Sequence, residues 1–130
     1  MLKKIKRFER LATLRKRDIS KEVTNSNLLE TEIIKNNNLI LQIDTIMDNG
    51  KAEKSDKIIS SGYFKNNAQL LSTLQSQKNI ADNRNKYLLN EKKITQQKII
   101  INNLKKNKAE EKTIEYKKHY LNELEKKNFN

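Results

Sequence analysis

The chain has no cysteine, no proline and no tryptophan, and only two glycines among its 130 residues. Without cysteine there can be no disulfide, no thiolate-ligated zinc and no thiol nucleophile. Proline breaks helices and glycine weakens them, so their scarcity favours long uninterrupted helix. Long apolar runs are also missing: the longest, Leu39–Leu41 and Ile99–Ile101, are three residues each. A membrane-spanning helix needs about 20 apolar residues and a secretory signal about 7–15. A chain neither inserted in a bilayer nor exported by its own signal is therefore expected. With 35% hydrophobic and 34% charged residues, a thick core cannot be filled. A two-helix seam can, because it asks for about two apolar residues in seven. Low hydrophobicity with a net charge of +12 is equally the mark of an unfolded chain, so periodicity has to decide.

Periodicity favours the helix pair. With Ile5 at heptad position a, the a positions run Ile5, Ala12, Ile19, Ser26, Ile33, Ile40 and Met47. The d positions are Phe8, Arg15, Glu22, Leu29, Asn36 and Ile43. Nine of these thirteen are apolar, a pattern sustained over six heptads that disorder does not produce. Polar seam residues (Arg15, Glu22, Ser26, Asn36) either set register or keep the seam weak and flexible. Both glycines fall within Asp48–Gly62. Asp48-Asn49-Gly50 reads as a helix stop, and Ser60-Ser61-Gly62 offers a capping hydroxyl for a second start. The second half is less regular. Leu70, Leu74, Ala81 and Leu88 form a stripe that hands over to Ile80, Tyr87, Ile94, Ile101 and Leu104; Ala109, Thr113, Tyr116, Tyr120 and Leu124 then resume the spacing. A stripe that migrates implies stutters or a straighter helix.

The fold expected is all-α, a long antiparallel two-helix coiled-coil hairpin in one domain. Helix one covers about 3–48, the connector about 49–62 and helix two about 63–128. Folding back there puts Met47 near Tyr63–Asn67, Ile33 near Ala81 and Ile5 near Lys108. Roughly 19 residues of helix two, or about 30 Å, then lack a partner. Charge is uneven along the chain: residues 1–21 and 84–130 each balance to +7, and residues 22–83 to −2.

Little here suggests catalysis. His119, the single histidine, has Glu115 and Glu123 one turn away on each side, which could be a metal or acid–base site but reads better as an exposed helix face with i,i+4 pairing, since a two-helix rod lacks an enclosed pocket. Asp48-Asn49-Gly50-Lys51 is a turn and not a phosphate loop. No enzyme activity, metal or cofactor is expected. A pI near 9.8 is a footprint of nucleic-acid binders. Here, however, the cations are mostly lysine, spread over several faces, without aromatics for base stacking. Solvation together with attraction to an acidic protein is the favoured reading. No segment joins a lysine face to a broad apolar one, which counts against direct binding to a membrane surface.

Three stretches resemble the FliJ family, the small coiled-coil component of the bacterial flagellar export apparatus. They are Phe8-Glu9-Arg10-Leu11-Ala12-Thr13-Leu14-Arg15-Lys16-Arg17; Ile59-Ser60-Ser61-Gly62-Tyr63-Phe64 with Leu70-Leu71-Ser72-Thr73-Leu74; and Tyr120-Leu121-Asn122-Glu123-Leu124. The last stands where the family carries a leucine–Asp–Glu–apolar signature, with Asn122 in place of Asp. The resemblance implies a cytoplasmic protein of flagellum biogenesis and protein export, peripheral at the inner membrane through its partners. Those partners would be a hexameric FliI-like export ATPase, whose ring it enters and helps assemble, and an FlhA-like gate protein. Export chaperones are further candidates, and nucleic acid is not expected.

The family's gate-binding face maps onto Asn36, Ile40, Ile43, Met47, Leu70, Leu74, Gln77 and Ala81. Ile43 and Met47 stand where the family often has Tyr, and Leu70 where it has Phe. Several of these are also seam positions. The ATPase ring would be met by the overhang, through Thr113, Tyr116, Tyr120, Leu121, Glu123 and Leu124. Two other classes stay open: a stalk-like subunit of a virulence secretion system or rotary ATPase, and a basic coiled coil associated with RNA or ribosomes.

Overall fold

The structure, a computed structural model, describes residues 1–55 and 61–129, with side chains described over 1–50 and 66–128. Two helices account for nearly all of it: α1, Leu2–Ser55, and α2, Ser61–Phe129. No strand occurs among the described residues. The helices pack against each other antiparallel along the heptad seam of α1. Threonines inside them turn their hydroxyls back onto their own helix, as Thr13 does to the Glu9 carbonyl and Thr45 to that of Leu41. A potential competitor for backbone bonds is thereby absorbed. Lys126 and Lys127 close the last turn of α2, where cations suit the helix dipole.

The stop expected at Gly50 is not taken. Helix α1 runs on through Gly50 to Ser55, α2 has already begun at Ser61, and no described glycine has positive φ. The connector expected at 49–62 therefore narrows; its central part, with Ser60 of the proposed capping segment, lies outside the described residues. The cost of glycine in a helix is about 1 kcal/mol, small for a helix of this length with a packed face.

Packing divides the chain into two units, each an antiparallel helix pair: Met1–Asn27 with Lys93–Asn130, and Leu28–Lys92. In the second of these, Ile33, Asn36, Ile43, Leu74, Ala81 and Leu88 are buried, Leu88 most completely. Asn36 Nδ2 donates to the carbonyl of Ala81 at 2.7 Å. Three heptad-spaced pairs flank this core: Lys78 with Asp44 at 2.7 Å, Asn85 with Asn37 at 2.7 Å, and Lys92 with Glu30. In the first unit, Ile5, Ala12, Thr95, Ala109 and Thr113 are buried. The rings of Phe8 and Tyr116 stack at 5.5 Å, and Lys117 and Lys16 pair with Glu9 and Glu110.

All thirteen a and d positions assigned to α1 are buried or half-buried. The migrating stripe expected in α2 is not found. Its inward positions keep one heptad from Asn67 and Leu71 through Leu74, Lys78, Ala81, Asn85 and Leu88 to Tyr116 and Tyr120. Ile80, at 68% exposure, and Tyr87, Ile101 and Leu104 face outward. The partners expected across the seam shift too: Asn36 bonds to Ala81, and Glu9 and Phe8 reach as far as Lys117 and Tyr116, well past the Lys108 expected opposite Ile5. The later fold-back is the reason, since extending α1 to Ser55 carries its partner residues further along α2.

Candidate protein interface

The eight residues mapped to a gate-binding face separate by depth. Asn36, Ile43, Leu74 and Ala81 are buried in the seam of the Leu28–Lys92 unit, and Ile40 and Met47 are half-buried beside them. These six hold the helix pair together. Only Leu70 and Gln77 are exposed. Their heptad position in α2 is that of Arg84, whose guanidinium pairs with Glu32 of α1 at 3.2 Å along one flank. Carried along by heptads, the register of that pair brings Leu39 level with Gln77 and Ile46 level with Leu70. Leu39, Ile46 and Leu70 are each about half exposed (46%, 50% and 52%). Ile80 and Tyr87 lie one position further out on the same side.

This flank joins exposed leucine and isoleucine from both helices in the nearly neutral unit, which has nine Lys/Arg against eight acids. Leu39 and Ile46 carry no a or d signal in the sequence, since both sit one heptad position before a seam residue, at Ile40 and Met47.

The residues assigned to the ATPase ring also divide. Thr113 is buried and donates its hydroxyl to the Ala109 carbonyl at 2.9 Å. Tyr116 is stacked on Phe8, with the Lys4 ammonium 5.4 Å from its ring centroid. Tyr120 is half-buried. These three face α1, contrary to the expectation that the stripe from about residue 110 lacks a partner. Leu121, Glu123 and Leu124 are exposed, as is every described side chain from Leu121 to Asn128. The free part of α2 is thus a few turns shorter than the sequence suggested.

Charge is concentrated in the Met1–Asn27 and Lys93–Asn130 unit. It holds nineteen of the twenty-eight Lys/Arg and eight of the sixteen acids, hence +11 of the net +12. Seam lysines of the other unit are held by acids. The hydrogen bond and charge of Asp44 raise the pKa of Lys78 above the ordinary lysine range. His119 is exposed, and no cluster of three potential metal ligands occurs among the described residues. No described helix is long and apolar enough to cross a membrane.

No protein-family model matches the chain, and neither a curated protein nor a solved structure matches it.

Proposed function

We propose that this chain is a coiled-coil connector of a protein-export apparatus of the FliJ type, acting by binding two partners. The observation that carries the reading is the apolar flank of Leu39, Ile46 and Leu70. A contiguous exposed apolar patch is commonly an interaction site, and this one borders the face that the family resemblance assigns to the export gate. An FlhA-like gate protein is the partner proposed for it. The strongly basic unit, with Leu121, Glu123 and Leu124 beyond the last seam residues, is the surface proposed for a FliI-like ATPase ring. Long-range charge of this kind speeds association and fixes orientation. Neither role asks for chemistry by the chain itself.

The test is a binding assay of the purified chain against the cytoplasmic part of the gate protein and against the ATPase. Ile46→Asp with Leu70→Asp should abolish gate binding while leaving helicity and ATPase binding intact. Undiminished gate binding by this double variant would remove the flank from the account. Co-purification with RNA that dissociates at moderate salt, and with neither protein, would favour a nucleic-acid role.

A further inference from the structure

The outermost line of α1 in the basic unit has a composition that goes beyond the long-range charge assigned to the ATPase contact. Lys3, Arg7, Arg10, Leu14, Arg17 and Lys21 alternate at spacings of four and three, which places them on one ridge facing away from the seam. All six are exposed. The ridge runs about 27 Å at the helical rise and contains no acid. Its five cations enter none of the ion pairs found among the described residues, whereas Lys16, Lys117, Lys78, Arg84 and Lys92 each have an acid across the seam. Three of the chain's five arginines stand on it. The corresponding outer line of α2 in the same unit is different: Ile94, Ile101, Leu104, Lys108, Glu111 and Glu115 mix apolar, basic and acidic residues. Of the two outer lines, only that of α1 is uniformly basic.

We propose that this ridge binds the anionic surface of a lipid bilayer, through aligned charge and not through the broad apolar face that the sequence lacks. The c and f positions of a helix pair are the ones its partner helix does not shadow, so a straight line of them can meet a flat surface at every cation at once. The ridge is convex and offers no exposed aromatic for stacking bases, since Phe8 is engaged with Tyr116; this disfavours a nucleic-acid strand. Leu14, 52% exposed, and Leu11 beside it interrupt the cations. An apolar side chain there gains nothing against a phosphate strand in water but gains by entering the headgroup boundary. Each cation near an anionic leaflet multiplies partitioning about fivefold.

The experiment is co-sedimentation of the full chain with vesicles of phosphatidylcholine alone or mixed with phosphatidylserine. Binding is expected only to the mixed vesicles. Replacing Arg7, Arg10 and Arg17 together by Gln should weaken it about a hundredfold, with the circular dichroism spectrum unchanged. Leu14→Asn, which keeps the charge, should weaken it severalfold. Replacing Lys105, Lys106 and Lys108 by Gln, off the ridge, should cost much less than the arginine variant. Absence of binding to the mixed vesicles overturns the proposal, as does equal loss in the two triple variants. Tighter binding to a single-stranded oligonucleotide, unaffected by Leu14→Asn, would reassign the ridge to nucleic acid.

Discussion

Lys78 Nζ lies 2.7 Å from Asp44 Oδ1, and the same pairing recurs two heptads away as Lys92 with Glu30. Between them Asn85 meets Asn37. Three successive polar inward positions of α2, Lys78, Asn85 and Lys92, are thus answered, heptad by heptad, by residues on α1. The lysine stems cover apolar surface while their ammonium groups reach the acids, so the seam continues through residues that do not look like core.

The raised pKa of Lys78 gives this pairing a pH signature. A lysine whose folded pKa exceeds its unfolded one contributes stability that is fully present below the unfolded value. That stability is lost as pH rises through the folded value. Melting temperatures of the wild type and Lys78→Met should therefore differ at neutral pH and converge above the ordinary lysine range. A difference that persists at the alkaline end would show that Lys78 acts through packing alone.

Gly50 provides a test of the helix boundary. A Cβ built on it would lie 3.8 Å from Asn67 Oδ1 and Leu71 Cδ2, an ordinary contact distance, and its φ is not positive. Gly50→Ala should stabilise by about 0.5–1 kcal/mol through helix propensity and a less flexible unfolded chain, read as a higher urea midpoint. Destabilisation would indicate the left-handed stop that Asp48-Asn49-Gly50 suggests by sequence.

Asn67 is buried, and its Nδ2 has no hydrogen-bond partner. A buried donor left unmade costs about 1–3 kcal/mol. Asn67→Leu should raise the melting temperature. If the polar residue also guards register, the same variant will show a second oligomeric species in sedimentation equilibrium; a lower melting temperature would contradict the assignment of Asn67 as an unsatisfied seam residue.

The two ends of the C-terminal segment should respond differently to truncation. Removing residues 121–130 takes away only side chains that are exposed where described, so the melt should be spared while any ATPase stimulation is lost. Removing residues 109–130 also deletes Ala109, Thr113 and Tyr116, which pack with Ile5, Phe8 and Ala12 in one unit. That truncation should lower the melting temperature markedly, and an unchanged melt would mean that this packing contributes no stability.

The first helix was legible because its seam is written in apolar residues: Ile5, Ala12, Ile19, Ile33, Ile40 and Met47 recur at intervals of seven or its multiple. In α2 hydrophobicity misleads. Its inward line includes Asn67, Lys78, Asn85, Lys92, Thr95 and Asn102, while Ile80, Tyr87, Ile101 and Leu104 turn outward. The readable signal was relational: Asp44 and Glu30 are two heptads apart in α1, as are Lys78 and Lys92 in α2. Following apolarity within one helix cannot reveal it. For the candidate interface, Leu70 and Gln77 were legible as positions. Leu39 and Ile46 became visible only when the Glu32–Arg84 flank showed which outer positions of the two helices share a side. The apparent overhang failed for a simpler reason, because a fold-back placed too early in the chain leaves too much of α2 unpaired.

Helices α1 and α2 of one chain pair antiparallel in the register of Glu32 with Arg84. The absence of native cysteine permits spin labels at these two exposed positions alone. Double electron–electron resonance should give a single short distance that does not change when labelled protein is diluted with unlabelled protein. A distance that is long, or whose signal fades on dilution, would contradict the intrachain pair and put an intermolecular dimer in its place.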